Sequence, residues 1–186
     1  MPDINTLQIA VIATDGVEQD EIVKPIEALK QAGAHVKILS LKPGKFQAFQ
    51  HQDKGITLTA DAAVKDSHPD DFDALLLPGG ALNADALRTD PAVKKFVKAF
   101  DDDKKPIAFI CHAPWILISA GLVKGRTLTS YHTIADDIRN AGGHYVDHEV
   151  ACDFNWISSR QPSDIPAFNR EMLNTFSELA RQPAAR

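Results

Sequence analysis

The segment that decides the fold reads Pro106-Ile107-Ala108-Phe109-Ile110-Cys111-His112-Ala113-Pro114-Trp115-Ile116-Leu117. Its first five residues form a short apolar run, which is typical of a strand buried on both faces of a parallel sheet. The residues after Cys111 favour a helix that ends near Gly121. Because no turn residue separates the two patterns, Cys111 is predicted to lie at a sharp junction between a buried strand and a helix.

The N-terminal part of the chain predicts a βαβ unit. Leu7–Ala13 reads LQIAVIA and favours a strand, which Asp15-Gly16 breaks before a helical pattern over Glu18–Gln31. A second strand, His35–Leu41, follows at once. Two strands joined through a helix are expected to be parallel, with a right-handed crossover.

The rest of the chain continues this alternation. A third parallel strand is expected over Asp73–Pro78, where Pro78-Gly79-Gly80 stops it. The other predicted elements are a small antiparallel excursion within Pro43–Thr59, helices at Asp90–Asp102, Ile134–Ala141 and Pro166–Ala180, short strands at Thr127–Tyr131, His144–Val150 and Trp156–Ser159, and a frayed tail at Gln182–Arg186. With no repeat or linker, we predict one domain over residues 1–186, folded as a doubly wound α/β sandwich.

Composition excludes several classes of function. The 186 residues carry a net charge of −5, and no basic block is present that would follow a phosphate backbone, so direct nucleic-acid binding is not predicted. Met1–Leu7 has no basic region followed by an apolar run, and no apolar stretch is long enough for a membrane span. We therefore expect a cytoplasmic protein whose two cysteines are free thiols.

The two cysteines are expected to differ. An isolated free cysteine behaves as a small core hydrophobe, which is our interpretation of Cys152. Cys111 instead lies where ligands bind in open parallel sheets, beyond the carboxyl end of a strand. It also lies at a helix N-terminus, whose dipole favours a thiolate, so we expect its pKa to lie below the value of about 8.5 for a free thiol. Cys111 is therefore the predicted nucleophile.

Several motifs together resemble the PfpI family, also called intracellular protease I-like, of the superfamily that contains the Parkinson-disease protein and ThiJ. They are Ala108–Pro114, Leu77–Gly80, Lys124-Gly125-Arg126, Asn140-Ala141-Gly142 and Ser158-Ser159-Arg160. The resemblance extends from Ile9 to about Met172, in the order of the family. It implies a flavodoxin-like three-layer sandwich with a mostly parallel sheet, similar to the glutamine-amidotransferase domain, and a homodimer or higher homo-oligomer.

The resemblance also implies the site residues. Cys111 would be the nucleophile, followed by His112, with an acid from the first strand–helix turn pointing at the sulfur. That acid falls on Glu21, with Glu18 as the second choice, and it serves best as a protonated hydrogen-bond donor. Residues adjacent in a helix do not face each other, so the His112 backbone N–H is favoured over its imidazole. With Gly80, after Gly79, it would form an oxyanion hole.

Two further features depend on the family pattern. A second acid, from the neighbouring subunit, is proposed in this family to orient the histidine, and counting back from Arg88 places it on Asp85, after a loop at residues 81–84. The chain departs from the pattern at Ala113, where glycine is usual, and at Phe109, where a small residue is usual. Both larger side chains are expected to crowd the junction and to limit the room for substrate.

The remaining candidate ligands point to no metal or cofactor. His144 and His148 have a spacing that gathers a metal on a helix, but they lie in strand-like sequence and are expected to be surface or supporting residues. His132 is expected either to line the pocket or to be an ordinary loop histidine. Gly79-Gly80 is no dinucleotide-binding fingerprint, so no cofactor is predicted.

Two functional classes remain. In the first, Cys111 attacks small carbonyl adducts, free or on glycated protein, in a stress-related enzyme of the deglycase, glyoxalase or peptidase type. In the second, Cys111 is oxidised to a sulfinic acid and the protein senses or protects without turnover. We favour the enzyme, with deglycase or methylglyoxal chemistry ahead of peptidase activity, because a shallow pocket with one cysteine suits a small dicarbonyl adduct.

Overall fold

The structure, a computed structural model, describes residues 4–181, so the predicted frayed tail lies outside the described residues. The strands are β1 Gln8–Ile12, β2 Val17–Glu18, β3 His35–Ser40, β4 Gly44–Gln50, β5 Asp53–Ala60, β6 Ala62–Ala63, β7 Ala74–Leu77, β8 Ile107–Ile110, β9 Thr127–Leu128, β10 His144–Tyr145, β11 Val150–Asp153 and β12 Trp156–Ser159. The α-helices are α1 Gln19–Gln31, α2 Ala81–Thr89, α3 Pro91–Asp102, α4 Pro114–Ser119, α5 Ala135–Asn140 and α6 Ile165–Arg181.

A seven-stranded sheet in the order β11-β12-β8-β7-β1-β3-β6 forms the centre of the described chain. All neighbouring pairs are parallel except β11 and β12. The four residues of β7 and the four of β8 are all buried, as their continuous apolar runs predict. The predicted parallel βαβ unit and the mostly parallel α/β fold are confirmed.

Helices cover both faces of this sheet. Helices α1 and α6 pack on one face around a core that includes Ile22, Phe168 and Met172. Helix α3 packs on the other, with Val93 and Phe96 in a second core that it shares with α2, α4 and α5. The structure is therefore the predicted three-layer sandwich. No helix within residues 4–181 is long and apolar enough to cross a membrane.

The excursion predicted within Pro43–Thr59 is a long hairpin. Strands β4 and β5 pair antiparallel, and β4 also pairs with β2 in a separate three-stranded sheet. The Gly16 N–H donates to the carbonyl oxygen of Gln47 at 2.9 Å, and the Asp15 carboxylate accepts from the Gln47 N–H at 2.8 Å. These bonds fix the hairpin beside the turn that follows β1.

Three expectations about local structure are wrong. The segment 81–84, expected to be a loop, begins helix α2. The strand expected over His144–Val150 is limited to β10. The Val146 N–H still donates to the Leu128 carbonyl oxygen, but the side chains of residues 147–149 are exposed, and strand pairing resumes only at β11. Cys152 is exposed rather than in the core, because it lies on edge strand β11.

The carboxyl ends of β12, β8, β7 and β1 meet along one edge of the sheet. Each of these strands is followed there by a segment that faces the same space: Gln161 after β12, Cys111 after β8, Gly80 after β7 and Gly16 after β1. Parallel strands place their carboxyl ends on the same side, so this edge is the expected position of a ligand site.

Candidate active site

Cys111 lies at a strained turn. Its φ of +64° falls in the left-handed region, which is uncommon for a residue with a side chain. The Cys111 N–H donates to the carbonyl oxygen of Ser159 at 3.1 Å, and the Cys111 carbonyl accepts from the Tyr131 N–H at 3.0 Å. These bonds hold the turn, and helix α4 begins only three residues later, at Pro114. The sharp strand–cysteine–helix junction follows the logic of a nucleophile elbow.

Glu21, in the first turn of α1, is completely buried beside the thiol. Its Oε2 accepts the Gly79 N–H at 3.0 Å, whereas Oε1 has no nitrogen or oxygen partner among the described residues. The carboxyl and the Cys111 thiol are close enough for each to shift the pKa of the other. A Cβ atom at Gly79 would overlap Glu21 Oε2 and Cys111 Cβ, so only glycine lets the three groups approach this closely.

The surroundings of Glu21 favour its neutral form. Burial raises its pKa to about 8, and the nearby charge of Glu18 acts in the same direction. The hydrogen bond from the Gly79 N–H and the interaction with the Cys111 side chain oppose this shift without cancelling it. At neutral pH Glu21 is therefore mostly a carboxylic acid, which can donate a hydrogen bond to sulfur or to an oxygen of a substrate.

The pKa expected for Cys111 is wrong in direction. The side chain is only 6% exposed, and burial, followed by the charge that Glu21 carries when ionised, raises the pKa of the thiol above its ordinary value. Hydrogen bonds from the backbone N–H groups of Gly80 and His112 lower it, but less. The expected lowering of the pKa assumed a shallow site, whereas Cys111 is deeply buried. The thiol therefore needs a base to remove its proton.

His112 is the candidate for such a base. Its ring Nδ1 lies 3.1 Å from Cys111 Sγ, and its Nε2 lies 3.4 Å from the hydroxyl oxygen of Thr133. Burial and the neighbouring His132 lower the pKa of His112, so its imidazole is mostly neutral at neutral pH. The sequence favoured the backbone N–H of His112 over its imidazole, but the imidazole also reaches the sulfur, because the positive φ of Cys111 forms a special turn.

A cavity of about 670 Å³ opens above the thiol. It is lined by Gly16, Glu18, Glu21, Phe49, His51, Gln52, Gly80, Ala81, Leu82, Cys111, His112, Tyr131, Gln161, Pro162 and Ser163. Residues 49–52 come from the β4–β5 hairpin, and residues 161–163 come from the turn before α6. The sequence did not predict that these two segments line the cavity, because neither contains a motif typical of a catalytic or binding site.

Asn83 is a second residue that the sequence did not indicate. Its buried side chain accepts from the Thr14 N–H at 2.8 Å and donates to the carbonyl oxygens of Pro78 and Gly79 at 3.1 and 3.0 Å. It thereby ties the turn after β1 to the turn after β7. The position of Gly79 and Gly80 at the thiol depends on this link.

The other predicted site residues lie farther from the sulfur. Glu18 lines the cavity, and its Oε2 accepts the His51 N–H at 3.0 Å. His132 is exposed and does not line the cavity, although its ring lies 4.5 Å from that of Tyr131. Asp85 is exposed on α2 and does not line the cavity formed by this chain. Its action from a neighbouring subunit stays a prediction.

The crowding expected from Phe109 and Ala113 is not on the side of the cavity. Both are fully buried in the core on the other face of the sheet, where the Phe109 ring meets Trp156 edge-on at 5.4 Å. Within residues 4–181, no group of three or more His, Cys, Asp or Glu side chains is arranged to hold a metal. The predicted absence of a metal or cofactor at His144 and His148 stays a prediction.

Comparison with known proteins places this geometry in a family. The model of the DJ-1/PfpI family matches residues 7–175. The chain is 43% identical over 167 residues to the "Putative cysteine protease YraA" of Bacillus subtilis, covering 90% of this chain and 96% of that protein. It is 42% identical over 167 residues to "Deglycase TK1284" of Thermococcus kodakarensis, covering 90% and 98%.

A solved structure agrees with the fold. The crystal structure of Drosophila melanogaster DJ-1beta superposes with a TM-score of 0.82 at 26% sequence identity, covering 94% of this chain and 96% of that one. The match of the family model to most of the chain and the identities above 40% point the same way. The chain therefore belongs to the DJ-1/PfpI family.

Proposed function

We propose that this protein is a deglycase or glyoxalase-type enzyme in which Cys111 attacks the carbonyl carbon of small dicarbonyl adducts. The observation that carries the proposal is the arrangement of three groups that line one cavity: a thiol, a neutral imidazole 3.1 Å from it and a buried, neutral carboxylic acid beside it. A nucleophile, a base and an acid are the groups that addition to a carbonyl requires.

The first step of the proposed reaction is addition of sulfur to the aldehyde carbon of methylglyoxal, either free or released from its adduct in the cavity. His112 Nδ1 takes the thiol proton as the carbon–sulfur bond forms. The carbonyl oxygen gains a proton from Glu21, and the N–H groups of Gly80 and His112 stabilise the negative charge that develops on it. The product is a hemithioacetal on Cys111. An adduct first loses its amine or thiol, which takes the proton of the neighbouring hydroxyl group, and this loss regenerates the aldehyde to which the sulfur adds.

The second step converts this hemithioacetal to lactate without an external oxidant. The hydrogen on the former aldehyde carbon moves as a proton, through a basic group, to the neighbouring ketone carbon. The aldehyde carbon is thereby oxidised to a thioester while the ketone is reduced to an alcohol. Water then hydrolyses the lactoyl thioester and frees the Cys111 thiol. Glu21, which exchanges protons near neutral pH, is the group proposed to carry them.

The cavity supports a small adduct better than a folded protein segment as substrate. Cys111 is only 6% exposed and lies beneath the hairpin residues 49–52 and the turn at 161–163. A glycated side chain or a free dicarbonyl compound reaches such a thiol more easily than an extended peptide backbone does. Peptidase activity is therefore placed second among the enzyme classes.

One observation favours the redox alternative. The acid of Glu21 and the N–H groups of Gly80 and His112 all interact with the Cys111 sulfur. The same donors suit the oxygens of a sulfinic acid, which peroxide forms from a thiol. In that case Cys111 oxidation, followed by intact mass after peroxide treatment, would depend on Glu21, whereas lactate formation would not.

The proposed function is tested by lactate formation from methylglyoxal and from its N-acetylcysteine and N-acetylarginine adducts. The wild type should form lactate, and Cys111→Ser should form none above background. Because adducts dissociate reversibly, each is compared with free methylglyoxal at the same free concentration. A faster rate with the adduct supports a deglycase, and an equal rate supports a glyoxalase. Equal lactate formation by wild type and Cys111→Ser would reject the proposal.

A further inference from the structure

Glu18 is a charged residue of the cavity wall that the reaction above does not use. It is the residue before α1, and its side chain is 12% exposed. Its Oε2 accepts the backbone N–H of His51, so the carboxylate is held at the mouth of the cavity by the hairpin. The charge of Glu18 raises the pKa of the buried Glu21, and does so more than the charge of Asp20, so its field extends to the floor of the cavity.

The other lining residues do not balance this charge with a fixed cation. Among the described residues that line the cavity, none is lysine or arginine. The His51 ring, with Nδ1 4.0 Å from Glu18 Oε2, has a side chain 84% exposed to solvent, which weakens its effect. The remaining polar groups, such as Gln161, whose amide donates to Ser163 Oγ at 3.0 Å, are uncharged. A charged group of a ligand inside the cavity therefore interacts mainly with the negative charge of Glu18.

We infer that Glu18 makes this cavity selective for carbonyl adducts carried on cationic groups, such as guanidinium or ammonium groups, over adducts carried on anionic groups. The inference rests on the proposed function for its substrates, but the electrostatic selection is a property of the cavity itself. Two unit charges about 12 Å apart at an effective dielectric constant of about 20 change a rate by about tenfold, and a closer pair changes it more. Glu18 is thus a specificity-determining residue.

The selection can be measured on the thiol without any turnover. Two ethyl methanethiosulfonate reagents of similar size carry either a trimethylammonium or a sulfonate group. Each reacts by attack of the thiolate on its sulfenyl sulfur, with methanesulfinate leaving and a mixed disulfide forming. Labelling is done in a Cys152→Ser background, because Cys152 is exposed. The ratio of the two rates at Cys111 is compared with that of a free cysteine peptide.

The expected cation-to-anion ratio at Cys111 exceeds that of the peptide by about tenfold or more, and Glu18→Gln removes most of this excess. Asp20→Asn is the matched control, because Asp20 carries the same charge two residues later, in the first turn of α1, but pairs with Lys24 at 2.7 Å and lines no part of the cavity. It should change the ratio by less than about twofold. A ratio that equals that of the peptide, or that Glu18→Gln leaves unchanged, overturns the inference.

A second measurement separates the inference from the proposed function. Methylglyoxal hemithioacetals of thiocholine and of 2-mercaptoethanesulfonate present the same two charges as substrates. The inference predicts a higher kcat/KM for the thiocholine adduct, reduced by Glu18→Gln mainly through KM. Failure of both adducts to yield lactate, with the labelling ratio as expected, rejects the proposed function alone. Equal turnover of both with no labelling preference rejects the inference alone.

Discussion

Replacement of Glu21 by glutamine should stabilise the protein and weaken the enzyme. Glu21 is fully buried with a pKa of about 8, against 4.5 for an ordinary carboxyl. Between these two values the unfolded chain releases the proton and the folded chain keeps it, so the free energy of unfolding falls as pH rises. This difference corresponds to a cost of about 1 kcal/mol at pH 5, about 3 kcal/mol at pH 7 and about 4 kcal/mol at pH 8.

Glutamine has the same shape and no proton to lose. Its amide oxygen can accept the Gly79 N–H, as Glu21 Oε2 does at 3.0 Å, and its NH₂ group can face Cys111. The variant should therefore be more stable than the wild type by an amount that grows with pH toward the values above, which are upper limits. Turnover should fall by about 10²- to 10⁴-fold, as expected for a lost general acid or base.

The assay is urea unfolding of both proteins at pH 5 and pH 8, beside steady-state lactate formation. Glu27→Gln, an exposed acid on the same helix, is the control and should change the free energy of unfolding by less than about 0.5 kcal/mol at either pH. A stability difference between wild type and Glu21→Gln that does not change with pH would show that Glu21 is not held protonated. An undiminished rate of turnover would show that it carries no proton in the reaction.

Three other predictions follow from the same geometry. Gly79→Ala places a Cβ atom 2.8 Å from the Ile110 carbonyl oxygen and still closer to Glu21 and Cys111. The variant should lose turnover, and the midpoint of its urea unfolding should fall by the equivalent of about 1–3 kcal/mol. A midpoint equal to that of the wild type would refute the packing argument. Alkylation of Cys111 by iodoacetamide should keep accelerating above pH about 8.5, because burial raises the pKa of the thiol; a plateau at neutral pH would contradict this. Sedimentation should show a homodimer. A 20.3 kDa monomer at micromolar concentration would contradict this prediction, and it would also remove the basis for an action of Asp85 across an interface.

The sequence was sufficient for the elements that continuous patterns determine. The apolar runs of β7 and β8 are typical of strands whose two faces are both buried. Asp90-Pro91 is typical of a capped N-terminus, and the Asp90 carboxylate does accept two backbone N–H groups at the start of α3. The position of Cys111 directly after β8 therefore identified the centre of the site. Glu21 required the family resemblance, because an acid in the first turn of a helix is common for reasons of charge alone.

What the sequence did not predict depends on contacts between distant segments. The reach of the His112 ring to the sulfur depends on one backbone angle, the φ of Cys111, and propensities favour a negative value there. The depth of the thiol depends on the hairpin over residues 49–52 and the turn at 161–163, which lie far away in the chain. The direction of the Cys111 pKa shift follows from that depth, and for this reason it was predicted with the wrong sign.

The proposed reaction requires that Cys111 form a covalent bond with the carbonyl carbon during turnover. Acid quenching of the wild type and of Cys152→Ser during reaction with methylglyoxal, followed by peptide mass mapping, tests it most directly. We expect one lactoyl group on the peptide that contains Cys111 in both proteins, and none in Cys111→Ser, which makes no lactate. Lactate formation with no lactoyl group on Cys111, or with one on another residue, would rule out Cys111 as the nucleophile.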